Sequence, residues 1–313
     1  MEYVLLIGGL IILIIAGEAL VRGAVGVALK FNIPTLVIGM TIVSFGTSVP
    51  ELLVSLQAAL DGHPELAIGN VIGSNIANLA LVLGITTMIL PITVKRVTTR
   101  IDWSILMVTT ILFFIFILNG NIEWYEGLIF TIGIIAFNFF MFWKSKKESK
   151  KEDVELDFEK EGVKSSKLLF NIFLIIAGSI GLAFGAKWLL KGAIDIASNF
   201  GVSEHVIGVT IVAFGTSVPE LITSIMAAIK KETDISVGNL IGSNIFNILG
   251  VVGITALVKE IPVSMQVITN DIYWVLGISF LVFPLMIIGY RINRVKGFLL
   301  FSAYCVYIYF VVS

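Results

Sequence analysis

Long apolar runs alternate with short polar breaks along nearly the whole chain. The runs are about 18–24 residues, the length at which an α-helix crosses a bilayer and longer than a barrel strand requires. Backbone groups in lipid must be satisfied within the protein, so only helices or closed barrels span, and run length selects helices. The pattern predicts an all-α polytopic membrane protein with ten transmembrane helices, near residues 3–21, 34–59, 66–90, 101–119, 125–143, 167–190, 205–229, 235–257, 271–290 and 297–312. The first run, apolar from Val4 to Ala16, has no basic lead and no convincing small-residue cleavage site, so it reads as a helix and not as a signal peptide.

The runs also repeat. Gly46-Thr47-Ser48-Val49-Pro50-Glu51-Leu52 returns unchanged as Gly215-Thr216-Ser217-Val218-Pro219-Glu220-Leu221. Gly69-Asn70 and Gly73-Ser74-Asn75-Ile76 return as Gly238-Asn239 and Gly242-Ser243-Asn244-Ile245, in the same register of 169 residues. Between residues 37–84 and 206–253, 27 of 48 positions are identical, far more than shared apolar composition would give. With five spans per copy, the second copy starts on the opposite side of the membrane, which makes the halves two inverted five-helix repeats. The expected division is 1–143, a linker 144–167, and 168–313.

Composition sharpens this picture. The chain of 313 residues is 57% hydrophobic and 14% charged, with mean hydropathy +1.00. A soluble domain carries nearly twice that charge. The net charge of −1 conceals an asymmetry. Placing the Lys-rich linker in the cytoplasm puts 18 of 21 basic residues inside, and both termini outside. The linker mixes Lys, Glu and Asp and is too short for a folded domain, so it reads as a solvated tether. The single Cys305 excludes an internal disulfide, no nucleic-acid signature is present, and nothing in the chain calls for a cofactor. Oligomeric state is left open.

The chemistry lies in the repeated motifs. A carboxylate at mid-membrane is costly and marks an ion or proton path. Pro50 cannot donate to the carbonyl of Gly46, so a kink or break is expected there, with freed carbonyls as hard oxygen ligands. Thr47 and Glu51 are four residues apart and share a face, with Ser48 close to it. Gly215, Thr216, Ser217, Pro219 and Glu220 repeat the set. Close helix packing is the lesser alternative for Gly46 and Gly215, and a simple kink for the prolines. Ser74 with Asn78, and Ser243 with Asn247, form one stripe on the third and eighth spans. Asn70, Asn75, Asn239 and Asn244 read as well as interhelical glue. Asp102 and its mate Asp271 read as favourable charges in a first helical turn.

Gly-Thr-Ser-Val-Pro-Glu followed by Gly-Ser-Asn-Ile-x-Asn, twice over, is similar to the two α-repeats of the sodium/calcium exchanger family of cation/calcium antiporters. The resemblance is to the prokaryotic type, because the linker cannot hold the calcium-sensing domains of animal members. It implies secondary antiport of Na⁺ for Ca²⁺ by alternating access, with both ions as transported partners. By position, Glu51 and Glu220 would be the calcium carboxylates, and Thr47 and Thr216 would add backbone carbonyls. Ser48, Ser217, Ser74 and Ser243 would serve sodium sites, with backbone at Ser44 and Ala213, and Asn78 and Asn247 would line the centre. Some relatives, including a potassium-dependent branch, have Asp at the position of Asn247. The resemblance thus implies electrogenic, potassium-independent exchange in a prokaryotic cell membrane.

A Ca²⁺/H⁺ antiporter of the same superfamily is the nearest alternative, although hydroxyls beside each Glu favour Na⁺, since a proton needs no oxygen cage. An intramembrane enzyme using Ser48 or Ser217 lacks a His or Lys base within the spans. A channel would not need a doubled inverted site.

Overall fold

A computed structural model describes residues 1–149, 167–201 and 213–312. Its helices are α1 (Glu2–Phe31), α2 (Thr35–Leu60), α3 (Glu65–Ile89), α4 (Thr98–Ile117), α5 (Trp124–Ser149) and α6 (Leu168–Asn199), then α7 (Val218–Ile229), α8 (Thr233–Val258), α9 (Val267–Tyr290) and α10 (Arg294–Val312). A short helix, Ala213–Thr216, precedes α7. Among the described residues nine helices are long and apolar enough to span, and α7 is a shorter apolar one. The expected seventh span begins at residue 205; residues 205–212, and most of the linker expected to be a tether, lie outside the described residues.

Three helices exceed their expected limits, and one of them, α5, runs to Ser149 although its expected span ends at 143 and the expected linker begins at 144. α1 has 30 residues and α6 has 32, against expected spans of 3–21 and 167–190. At ~1.5 Å per residue both are longer than a perpendicular crossing of the ~30 Å hydrocarbon layer needs. Arg22 therefore sits within α1 and not beyond it. No breaker stops the run until Asn32-Ile33-Pro34, where Asn32 takes a left-handed conformation (φ 52°) and caps the carbonyls of Ala28 and Leu29. α1 and α6 lie backbone to backbone. A Cβ on Gly178 would come within 2.7 Å of the Leu20 nitrogen, and one on Gly185 within 3.0 Å of the Gly9 carbonyl oxygen. Small residues allow this close approach.

Four two-residue strands expose the inverted arrangement. β1 (Ile92–Thr93) pairs antiparallel with β4 (Arg291–Ile292), and β2 (Asn121–Ile122) with β3 (Ile261–Pro262). Each ribbon thus joins one half to the other. α4 leads from the β1–β4 ribbon to the β2–β3 ribbon, and α9 leads back. The two helices are antiparallel neighbours. Trp103 at the start of α4 stacks on Phe283 near the end of α9 at 4.0 Å, and Phe114 meets Tyr273 at the opposite end. The same inversion relates α3–α10 to α8–α5. Gly84 meets Gly297 and Phe301, and Gly253 meets Thr131 of α5, all at backbone range. The apolar core runs continuously between α3, α4, α5, α8, α9 and α10.

Asp102 departs from its expected role. It is buried at the end of a π turn, Thr98–Asp102, and faces Lys144 at 3.9 Å, an ion pair between the start of α4 and the end of α5. Its mate Asp271 is only partly buried at the matching π turn, Val267–Asp271. The two mates hold the same place, the last residue of a π turn and not a first helical turn, and differ in burial.

Candidate cation site

The two copies of the repeated heptapeptide take different shapes. In α2, a π turn at Gly39–Val43 is followed by unbroken α-helix from Ser44 to Leu60, with Pro50 inside it. The break expected at Gly46 and Pro50 is absent. Gly46 lies against Ser179 of α6 and Leu20 of α1, and the helix runs on through Pro50. In the second copy the chain does break. Ser217 leaves the helix (φ −89°, ψ 3°), and Pro219 sits in the first turn of α7, where a missing N–H is harmless. Identical residues therefore give a continuous helix in one environment and a broken one in the other.

Side chains from both halves meet at mid-chain depth. Ser48 donates to Glu220 Oε1 at 3.1 Å, linking α2 to α7. Thr47 Oγ1 lies 3.3 Å from Ser243 Oγ, and its mate Thr216 lies 3.3 Å from Ser74 Oγ. Thr47 also donates to the Asn239 amide oxygen at 3.0 Å and approaches the Ser44 carbonyl at 3.2 Å. Asn247 donates to Asn75 Oδ1 at 3.2 Å, so the eighth helix reaches the third. π turns begin at Ala77 and Asn247, placing Asn78 and Asn247 where helical bonding loosens. Ala213, expected to supply backbone, opens the short helix before the break.

Burial makes these groups consequential. Thr47, Ser48, Glu51, Asn78, Ser217, Glu220, Ser243 and Asn247 are fully buried, and Ser44, Ser74 and Thr216 nearly so. Yet both carboxylate oxygens of Glu51, Oε2 of Glu220, both amide atoms of Asn78, Oδ1 of Asn247 and the Ser217 hydroxyl lack a hydrogen-bond partner among the described residues. An unpaired buried polar atom costs about 1–3 kcal/mol, and an unpaired charge more. The unpartnered oxygens among these atoms carry lone pairs of the kind a cation bonds to, whereas Asn78 Nδ2 is a donor and calls for an acceptor. Two ionised carboxylates in one buried site would repel each other, and a divalent ion between them would relieve that repulsion. No group of three or more His, Cys, Asp or Glu side chains occurs among the described residues, so neutral oxygens complete any coordination shell. Ca²⁺ takes about 6–8 such hard oxygens.

Two residues of this cluster escaped sequence reasoning. Ser55 accepts from Asn70 Nδ2 at 3.0 Å, and its mate Ser224 accepts from Asn239 Nδ2 at 3.3 Å. Their signal was present, since each lies four residues after the Glu of its copy. A serine in a helix is too common for that spacing to stand out alone.

Comparison with known proteins bears on the family and the fold. Residues 1–143 and 170–313 match the family described as sodium/calcium exchanger protein. The chain is 34% identical to the antiporter CaxA of Alkalimonas amylolytica, over 97% of each chain. It is 29% identical to the sodium/calcium exchanger MaX1 of Methanosarcina acetivorans, over 98% of this chain and 97% of that one. Among solved structures it resembles the sodium-calcium exchanger NCX_Mj soaked with Na⁺ and Ca²⁺, with a TM-score of 0.83, 30% identity, and coverage of 98% and 97%.

Proposed function

The chain belongs to the sodium/calcium exchanger protein family, and from that premise we propose that it exchanges Na⁺ for Ca²⁺ across the membrane as a secondary antiporter with alternating access. The observation that carries the reading is the set of unpartnered oxygens on Glu51 and Glu220, fully buried in inverted copies of one motif. In this reading Glu51 and Glu220 neutralise Ca²⁺, with Asn78 and Asn247 beside them. Thr47, Thr216 and the backbone at Ser44 and Ala213 add oxygens. Ser48, Ser74, Ser217 and Ser243 flank the centre and take Na⁺. Transport is electrogenic and needs no potassium. The protein lies in a prokaryotic cell membrane with both termini outside and linker 144–167 in the cytoplasm, as the basic residues suggest.

The test is calcium-45 uptake into proteoliposomes loaded with Na⁺, with choline-loaded vesicles as control. Uptake that requires internal Na⁺ is expected. Uptake driven instead by an imposed pH gradient, and indifferent to Na⁺, would favour the Ca²⁺/H⁺ alternative.

A further inference from the structure

Asn70 and Asn239 are mates in the repeat, and each is anchored by a serine of its own half. Asn70 Nδ2 donates to Ser55 Oγ at 3.0 Å and to the Glu51 carbonyl at 3.2 Å, both on α2. Asn239 Nδ2 donates to Ser224 Oγ of α7 at 3.3 Å. The symmetry ends there. Asn239 Oδ1 accepts the hydroxyl of Thr47, which belongs to the other half, at 3.0 Å. The bonds of Asn70 itself stay within its own half, at Ser55 and the Glu51 carbonyl. The same one-sidedness marks the neighbouring pairs. Ser48 reaches Glu220, whereas Ser217, its mate, has no hydrogen-bond partner for its hydroxyl among the described residues. Burial follows the pattern: Asn239 is fully buried and Asn70 only partly. Gly238 and Gly242 beside Asn239 press on the α2 backbone at Leu36 and Met40.

An inverted repeat gives this asymmetry a meaning. Two halves of near-identical sequence are equally able to make either set of bonds, so the mirror set is available to the conformation in which the halves exchange roles. We propose that Asn70 and Asn239 are positioning residues of the exchange cycle, each held by its serine so that its amide oxygen accepts the threonine hydroxyl of the opposite half, on one side at a time. Asn239 holds Thr47 in the present conformation, and Asn70 holds Thr216 in the conformation of opposite access. The chemistry is specific. A hydroxyl whose proton is accepted by the amide oxygen turns its lone pairs elsewhere, and lone pairs are what a cation requires. The inference rests on the exchanger reading above for the meaning of the two conformations.

The experiment compares hydrogen–deuterium exchange of the purified protein in detergent, without Ca²⁺, for the wild type, Asn239→Ala and Asn70→Ala. Sodium-driven calcium uptake is measured on the same variants. Asn239→Ala is expected to speed amide exchange in the first half of α2 by about tenfold, the effect of one lost buried hydrogen bond. Asn70→Ala is expected to leave that segment as in the wild type. Both are expected to slow uptake by about tenfold, since each removes a contact that one half of the cycle needs. Ser224→Ala frees Asn239 from its anchor by a milder change and is expected to act in the same direction, so an unstable Asn239→Ala does not end the test. Equal protection changes in the two asparagine variants, or full uptake by both, would overturn the proposal. A wild type that shows no Na⁺-dependent uptake refutes the exchanger reading instead, and the exchange pattern of α2 still decides whether Asn239 and Asn70 act on one side each.

Discussion

At the scale of single residues, the site is a concentration of oxygen without enough hydrogen. Glu51 contributes two carboxylate oxygens with no donor among the described residues, and Glu220 contributes one beside the oxygen that Ser48 serves. Glu51→Gln and Glu220→Gln are each expected to abolish sodium-driven calcium uptake, by about 100-fold or more, while the protein remains folded. The amide keeps the shape and, at position 220, an acceptor for Ser48, but loses the charge that offsets a dehydrated divalent ion. Removing an unpaired buried charge does not harm stability, so melting temperatures should equal or exceed the wild type. Near-normal uptake by either variant would refute the assignment. These two residues were legible in the sequence because a repeated intramembrane carboxylate is rare. The bonding of Asn70, Asn75, Asn239 and Asn244 was not, because an amide in an apolar helix serves equally well as glue or as a site component. Only the structure separates them: Asn239 meets Thr47, while Asn244 bonds back to the carbonyl of Leu240 in its own helix.

At the scale of elements, the ends of helices and their internal irregularities carry the surprises. Apolar periodicity located the spans, yet it placed the end of α1 at residue 21 when the helix continues to Phe31. Arg22 did not stop it, because an arginine reaches toward the interface and tolerates a helical backbone. The heptapeptide gives the sharper lesson, since the same residues form continuous helix around Pro50 and a break before Pro219. Local sequence cannot distinguish the two, because the residues are the same and only their surroundings differ, Gly46 against Ser179 and Gly215 against Leu190. This difference yields a paired prediction. Pro50→Ala restores an N–H to the Gly46 carbonyl in a helix interior, where proline costs about 3 kcal/mol, so a clear rise in melting temperature is expected. Pro219→Ala replaces a proline already at ease in a first turn and should move stability by less than about 1 kcal/mol. Thermal unfolding of both variants in the same detergent decides the matter. Equal stabilisation would mean that Pro219 is as strained as Pro50. An effect confined to Pro219 would mean that the strain lies at the break.

At the scale of the whole molecule, inversion organises everything from the two ribbons to the site. The ribbons pair strands from opposite halves, and α4 and α9 run antiparallel between them. The halves are therefore held to each other by contacts outside the linker. Deleting about 12 residues within Ser149 to Lys160 should leave exchange largely intact, because loop-closure cost varies slowly with length. Loss of Na⁺-driven uptake by a well-folded deletion would assign the linker a part in gating. The charge count gives the last prediction. Glu51 and Glu220 supply about two negative charges, enough for one Ca²⁺. Ser48, Ser74, Ser217 and Ser243 add neutral oxygens around that centre, places for monovalent ions beyond those two charges. If, as the family resemblance implies, more than two Na⁺ exchange for each Ca²⁺, net charge crosses the membrane, and each charge couples about 2.3 kcal/mol of work to every 100 mV. Asn247 is a neutral amide, bonded to Asn75 and buried, so the site lacks a third negative charge to hold a large monovalent cation. Sodium-driven uptake in liposomes is expected to change with clamped membrane potential and to persist when choline replaces potassium on both sides. Uptake indifferent to voltage would remove the electrogenic claim. Uptake that vanishes without potassium would mean that neutral oxygens around Asn247 hold that ion without help from charge.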